Sequence, residues 1–146
     1  KELQTKMNRL PDAAADEGVE EASLYMVNVL RQYPPQKRVT IAQAGGWKSD
    51  KQRRWFFAAL RRGEIQVPYH RTQQLADNWK ILGYGKASFI ANETSYAKYV
   101  MGDGDQSRMH ELIGWQKLQS FLTTRAQQII RKFDAGVKKA ISRLGL

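Results

Sequence analysis

Towards the end of the chain the apolar side chains step by three or four residues without a break: Trp115, Leu118, Leu122, Ala126, Ile129, Phe133, Val137, Ala140 and Leu144. That spacing is the signature of one face of an α-helix, so this segment reads as a single long amphipathic helix starting at Trp115. Phe121, Ile130 and Ile141 widen the stripe, and Gly136 is a mild flaw in it.

A second helix is predicted near the other end, in PDAAADEGVEEASLYMVNVLRQYPP. Pro11 suits a first helical turn, and Asp12, Asp16 and Glu17 suit its positive end. Val19, Ala22, Met26, Val29, Leu30 and Tyr33 then recur at helical spacing, and Pro34-Pro35 stops the run. Gly18 is a weak point that allows a bend. The segment before it, from Lys1 to Arg9, reads as a further helical turn or a frayed arm, so that residues 1–10 can form a flexible arm.

The middle of the chain is shorter in its elements. QKRVTIAQAGGW reads as an extended piece or loop broken at Gly45-Gly46. SDKQRRWFFAALRRG carries full helix punctuation: Ser49 as N-cap, Asp50 in the first turn, Arg61 and Arg62 in the last, and Gly63 as a left-handed stop. Its apolar cluster is Trp55, Phe56, Phe57, Ala59 and Leu60, and the other face is expected to hold Lys51, Arg53, Arg54, Arg61 and Arg62. EIQVPYHRT is a loop around Pro68, after which Thr72 can cap a short turn through Gln73, Gln74 and Leu75. In NWKILGYGKASFIAN, Trp79 and Ile81 alternate with Lys80, Gly83-Tyr84-Gly85 turns the chain, and Ser88, Phe89 and Ile90 return, which reads as a β-hairpin. SYAKYVMG is a short helix with Ser95 as cap and Gly102 as stop, and DGDQSRMHE is a polar loop. The fold class is therefore α+β: long N- and C-terminal helices packed on a small antiparallel sheet, with a basic middle helix.

At 146 residues the length suits a single domain, residues 1–146. The N-terminal residues lack the apolar core of a secretion signal, no apolar run is long enough to span a bilayer, and no membrane partner is expected. The absence of cysteine excludes disulfides and thiolate metal sites.

Charge is more informative. The formal net charge is +10, and it is unevenly spread. Residues 1–33 hold four basic and six acidic side chains, residues 48–62 hold six basic against Asp50, and residues 117–143 hold seven basic against Asp134. A polarised basic chain points to a polyanion or an acidic partner surface, against the plainer reading of a solvated face.

Catalytic signals are lacking. There is no GxSxG, Walker loop or HExxH and no cysteine nucleophile, so no enzyme, no catalytic residue and no cofactor is expected. Asp103 and Asp105 flank Gly104, but the continuation Gln106-Ser107-Arg108 does not supply the ligands of a calcium loop. His70 and His110 are the only histidines and lie in no ligand-spaced cluster, so no metal is expected. A distant option is a metal-dependent nuclease using Asp103, Asp105 and His110. The basic residues Lys51, Arg53, Arg54, Arg61 and Arg62 can contact phosphates in non-specific proximity to DNA, or an acidic partner, although no zinc finger, RRM or homeodomain pattern accompanies them. Four tryptophans, six tyrosines and many arginines also suit protein–protein contacts, with Trp47, Tyr84 and Tyr99 expected to be exposed.

The order VPYHRTQQLADNW, a hairpin ending near FIANETSYAKYV, a QSRMHELIGW segment and a terminal helix resembles the tail-completion or neck proteins of long-tailed bacteriophages and prophages, a tail-component family. Arg71, Thr72, Leu75 and Trp79 fit one family motif, and Tyr96, Ala97, Tyr99, Val100 and Gly102 fit another. Gln73, Asn78 and Met101 depart from residues usual in the family. The resemblance implies a non-enzymatic virion structural protein at the head–tail junction or tail end, made in the bacterial host cytoplasm. It implies a homo-oligomeric ring, with a hexamer favoured, and other neck and tail proteins as partners. Tyr96 and Tyr99 would then pack the sheet to the helices. Asp103, Asp105, Arg108 and His110 would lie on a loop free to contact a neighbour. The alternative is a basic, non-enzymatic DNA-binding accessory protein.

Overall fold

The N-terminal helix α1 runs from Glu2 to Leu30, longer than its apolar stripe predicts. A computed structural model describes residues 1–35, 37, 47, 49–64 and 73–146. Lys1–Arg9 is therefore further helix, continuous with the rest, and not a frayed arm, and Pro11 lies inside the helix rather than in its first turn. Proline at that point removes one backbone donor. Upstream of it the helix is held by local i, i+4 contacts: Lys6 to Glu2 at 3.3 Å, Gln4 Nε2 to Asn8 Oδ1 at 3.1 Å, and the Thr5 hydroxyl to the Lys1 carbonyl at 3.1 Å. The helix closes where Arg31 N–H donates to the Val27 carbonyl, ahead of the paired prolines.

The C-terminal helix α6, Leu118–Leu144, packs antiparallel on α1. Lys132 lies over Tyr25, Lys139 beside Glu21 and Arg143 beside Glu17, so the two helices run in opposite senses. Trp115 stands outside α6 and is buried. The two glycines read as flaws meet at the crossing. A Cβ on Gly136 would lie 2.8 Å from Gly18 Cα and closer still to the Glu17 carbonyl oxygen, while one on Gly18 would lie 2.6 Å from the Phe133 ring. Each glycine lets its helix backbone touch the neighbouring helix, which a side chain at that point would prevent.

The chain groups into two compact units, interleaved along the sequence. The first comprises Lys1–Tyr33, Gln74–Thr94 and Gln119–Leu146. Besides α1 and most of α6 it holds the short helix α3, Gln74–Asp77, and strands β1, Trp79–Leu82, and β2, Phe89–Asn92. The strands are antiparallel, with Trp79 opposite Asn92 and Leu82 opposite Phe89. Gly83 and Gly85 take positive φ between them (79° and 109°), the backbone that the Gly-Tyr-Gly turn requires. The hairpin is fastened to α1 by Arg31 Nη2 on the Trp79 carbonyl at 3.2 Å, Ser23 with Ser88 at 2.5 Å and Lys86 with Asp12 at 2.5 Å. Ala22, Val27, Leu30, Leu75, Ala76, Trp79, Phe121 and Ala140 are buried in this unit. Tyr33 accepts at its hydroxyl from Ala76 N–H at 3.4 Å, and Asn92 Nδ2 donates to the Leu75 carbonyl at 2.7 Å.

The second unit comprises Pro34–Gln73 and Ser95–Leu118. In its described residues it holds α2, Asp50–Arg61, α4, Ala97–Met101, and α5, Arg108–Leu112. The punctuation of α2 is as the sequence predicts: Ser49 Oγ accepts from Gln52 N–H at 3.2 Å, and Gly63 takes φ 74° just beyond the end. Ser95 does not cap α4. Tyr96 holds that position without a side-chain bond, and the helix stops where the Gly102 backbone turns to extended (φ −67°, ψ 136°), close against the Lys98 carbonyl. The expected polar loop DGDQSRMHE is a loop only in its first half. Ser107 caps α5 by accepting from His110 N–H at 3.4 Å. Gln106 Nε2 bridges the Val100 and Trp115 carbonyls at 2.8 and 3.0 Å, and Ala59, Val100, Met101, Ile113 and Trp115 are buried. No helix among the described residues is long and apolar enough to cross a membrane.

Candidate functional site

Three surfaces carry the residues that the sequence singles out. The first is on α2. Lys51, Arg54, Trp55, Ala58, Arg61 and Arg62 recur at i, i+3, i+4, i+7, i+10 and i+11, which is one helix face. All but Ala58 are exposed, and Trp55 retains 59% of its surface. Arg53 does not share this face. It aligns with Phe56, Phe57 and Leu60 and lies 3.5 Å from Asp50, because a position three residues on from Asp50 sits above it on the helix. Arg62 is held by Glu64 through two bonds, Nε at 2.6 Å and Nη2 at 3.0 Å. These bonds raise the Arg62 pKa and hold the Glu64 carboxylate below its ordinary range. Arg61 Nε donates to the Phe57 carbonyl at 3.3 Å. Lys51 and Arg54 have no acidic partner among the described residues. Trp47, expected to be exposed, is half-buried. Its ring sits 4.8 Å from Phe56 and 6.0 Å from Phe57, which anchors the apolar side of α2.

The acidic residues of α1 are disposed differently. Glu2, Asp12, Glu17 and Glu21 pair with Lys6, Lys86, Arg143 and Lys139. Hydrogen bonding to Asp12 and to Glu21 raises the pKa of Lys86 and of Lys139. Glu17 is the buried member, with Oε1 at 2.7 Å from Arg143 Nη2. Neither of its oxygens is in hydrogen-bonding geometry, so charge attraction alone holds the pair. The negative arm is thus largely neutralised within its own unit.

The second surface is the tip of the hairpin. Leu82 and Phe89 are opposed in the register and keep 45% and 73% of their surface, and Tyr84 at the turn keeps 83%. Tyr84 was expected to be exposed; Leu82 and Phe89 were not singled out. Strand alternation was the available signal, since Trp79 and Ile81 pointing inward puts Leu82 and its partner outward.

The third surface is the segment after α4. Asp105 lies 4.0 Å from Lys98 with both side chains exposed. Asp103 and Gly104 share its turn, and Arg108 opens α5 in an exposed position. His110 Nδ1 lies 2.7 Å from Ser107 Oγ, so the ring belongs to the cap of α5. Among the described residues no group of three or more His, Asp or Glu could hold a metal ion.

The motif residues are mostly scaffold. Leu75, Trp79 and Val100 are buried, and Tyr96, Ala97 and Gly102 are half-buried. Tyr99 does not pack inward: it is 47% exposed, with Lys98 Nζ 4.8 Å from its ring centroid. Arg71, Thr72 and His70 lie outside the described residues, as do QKRVTIAQAGGW apart from Lys37 and Trp47, and VPYHRT. Comparison of the chain with models of known protein families, with curated proteins and with solved structures finds no match.

Proposed function

We propose that the chain is a virion structural protein of the head–tail junction or tail end of a long-tailed phage. In this reading it works by assembling into a homo-oligomeric ring, with a hexamer favoured, and by contacts with other neck and tail proteins, without catalysis. The observation that carries the reading is the exposed apolar set Leu82, Tyr84 and Phe89 at the tip of the hairpin, whose sheet has two strands among the described residues. Large apolar side chains gathered on one exposed edge are suited to burial against another protein. The motif order that resembles the tail-completion family adds support, because Leu75, Trp79 and Val100 serve as scaffold around that hairpin and around α4.

The test is light scattering coupled to size exclusion, with and without isolated tails, on the parent chain and on the triple variant Leu82→Ser, Tyr84→Ser, Phe89→Ser. The reading expects a ring-sized species or tail-bound protein for the parent, lost in the triple variant while its circular dichroism is unchanged. A parent that neither self-associates nor binds tails, or a triple variant that assembles as the parent does, overturns it. The second reading, a DNA-binding accessory protein, draws on the cationic face of α2. It expects duplex binding that weakens steeply with salt.

A further inference from the structure

The face of α2 unites two chemistries in one stripe: four cations and an exposed indole. From Lys51 to Arg62 the stripe extends over roughly 16 Å of helix rise. Trp55 has Lys51 one turn before it, Arg54 beside it and the small Ala58 one turn after it, and it keeps 59% of its surface. The helix that carries the stripe is capped by Ser49 and ended by Gly63, and Trp47 packs with Phe56 and Phe57 on its opposite side. Lys51 and Arg54 are uncommitted to any acid among the described residues, and Arg61 has its terminal amines available beyond the one bond from Nε.

We propose that this face binds single-stranded nucleic acid, with Lys51, Arg54 and Arg61 on successive phosphates and Trp55 stacked on an unpaired base. Cationic grooves with interspersed aromatic rings hold single strands because every base has a π-face to stack on, whereas duplex bases already stack on one another. A single strand engages both halves of the stripe at once, phosphates on the cations and a base on the indole. The proposal goes beyond the head–tail reading and does not depend on it.

The experiment is fluorescence anisotropy with a labelled oligo-dT of ~15 nucleotides, the matching duplex and a labelled polyglutamate peptide, at salt from about 50 to about 300 mM. Single strands should bind more tightly than duplex, with a slope of log affinity on log salt of about −2 for three phosphate contacts. Trp55→Ala should weaken single-strand binding by about 5- to 150-fold and leave duplex binding unchanged, while Trp55→Phe retains most of the affinity. Lys51→Gln, Arg54→Gln and Arg61→Gln together should bring the slope towards zero. Because Trp55 is exposed, circular dichroism should be the same for every variant. Duplex binding as tight as single-strand binding overturns the proposal, as does indifference to Trp55→Ala. Polyglutamate bound as tightly as the oligonucleotide, or no binding at the lowest salt, overturns it equally.

Discussion

Replacing Gly136 by alanine tests the closest contact in the first unit. In an ordinary helix interior this change stabilises by about 1 kcal/mol, because alanine has the better helix propensity. At this crossing the new methyl would sit 2.6 Å from the Glu17 carbonyl carbon and 2.8 Å from Gly18 Cα, and its oxygen contact is tighter still. Those neighbours are backbone and cannot rotate away, whereas ordinary contact begins near 3.4 Å. The helices would have to part by about 1 Å, a gap that forfeits up to roughly half of each dispersion contact across the seam. Overpacking of this kind costs about 1–3 kcal/mol, and the seam also carries the Glu17–Arg143 pair, so we expect a net loss of about 2 kcal/mol. Urea unfolding followed by far-ultraviolet circular dichroism measures it, with Gly104→Ala as a control because nothing lies within 4 Å of a Cβ there. A Gly136→Ala chain as stable as the parent, or more stable, would refute the close approach. Gly18→Ala should be milder, since it meets the outer atoms of the Phe133 ring, which is 36% exposed and can move.

Arg143→Met should destabilise by about 1–3 kcal/mol, less than for a fully buried pair because the Arg143 side chain is 63% exposed, and adding Glu17→Gln should recover part of the loss by removing the stranded charge; a double variant as unstable as the single one would argue against charge as the cause. Lys139 has a raised pKa through its hydrogen bond to Glu21, so its contribution is present in full below the unfolded-state lysine value of about 10.4 and is lost as pH rises through the higher folded value. The stability difference between the parent and Lys139→Met should therefore hold at neutral pH and disappear in strong alkali, as read from denaturation midpoints across that range; a difference independent of pH would assign the effect to packing.

Elements whose signals act within a few residues were legible from the chain alone. The cap at Ser49, the stop at Gly63 and the glycine turn of the hairpin each satisfy or permit a backbone geometry that is decided locally, and all three stand where the sequence places them. The two long helices and the small antiparallel sheet followed from periodicity, which is likewise local. The errors of detail had local causes too. The apolar spacing ran through Trp115 although α6 starts at Leu118, and the cap at Ser107 was overlooked within a polar stretch. The basic face of α2 was legible as a set of residues but not as a surface. Only the helix geometry separates Arg53, beside Asp50, from the stripe that holds Lys51, Arg54 and Arg61, and only the exposure of Trp55 brings an indole into it.

Local patterns in the chain specify its elements: two amphipathic helices, a capped basic helix between them and a tight hairpin, each set by periodicity, caps and turn residues close at hand. Residues whose partners are distant in the chain take their roles only when folding brings those partners together. Gly18 and Gly136 are demerits on a helix-propensity scale and become the point of contact once the two helices cross. Glu17 looks like one more favourable acid near a helix start, yet burial against Arg143 makes it the one charge in that arm that must keep its partner. Backbone approach and desolvation depend on what lies across a gap in space, and no local pattern in the chain encodes that neighbour.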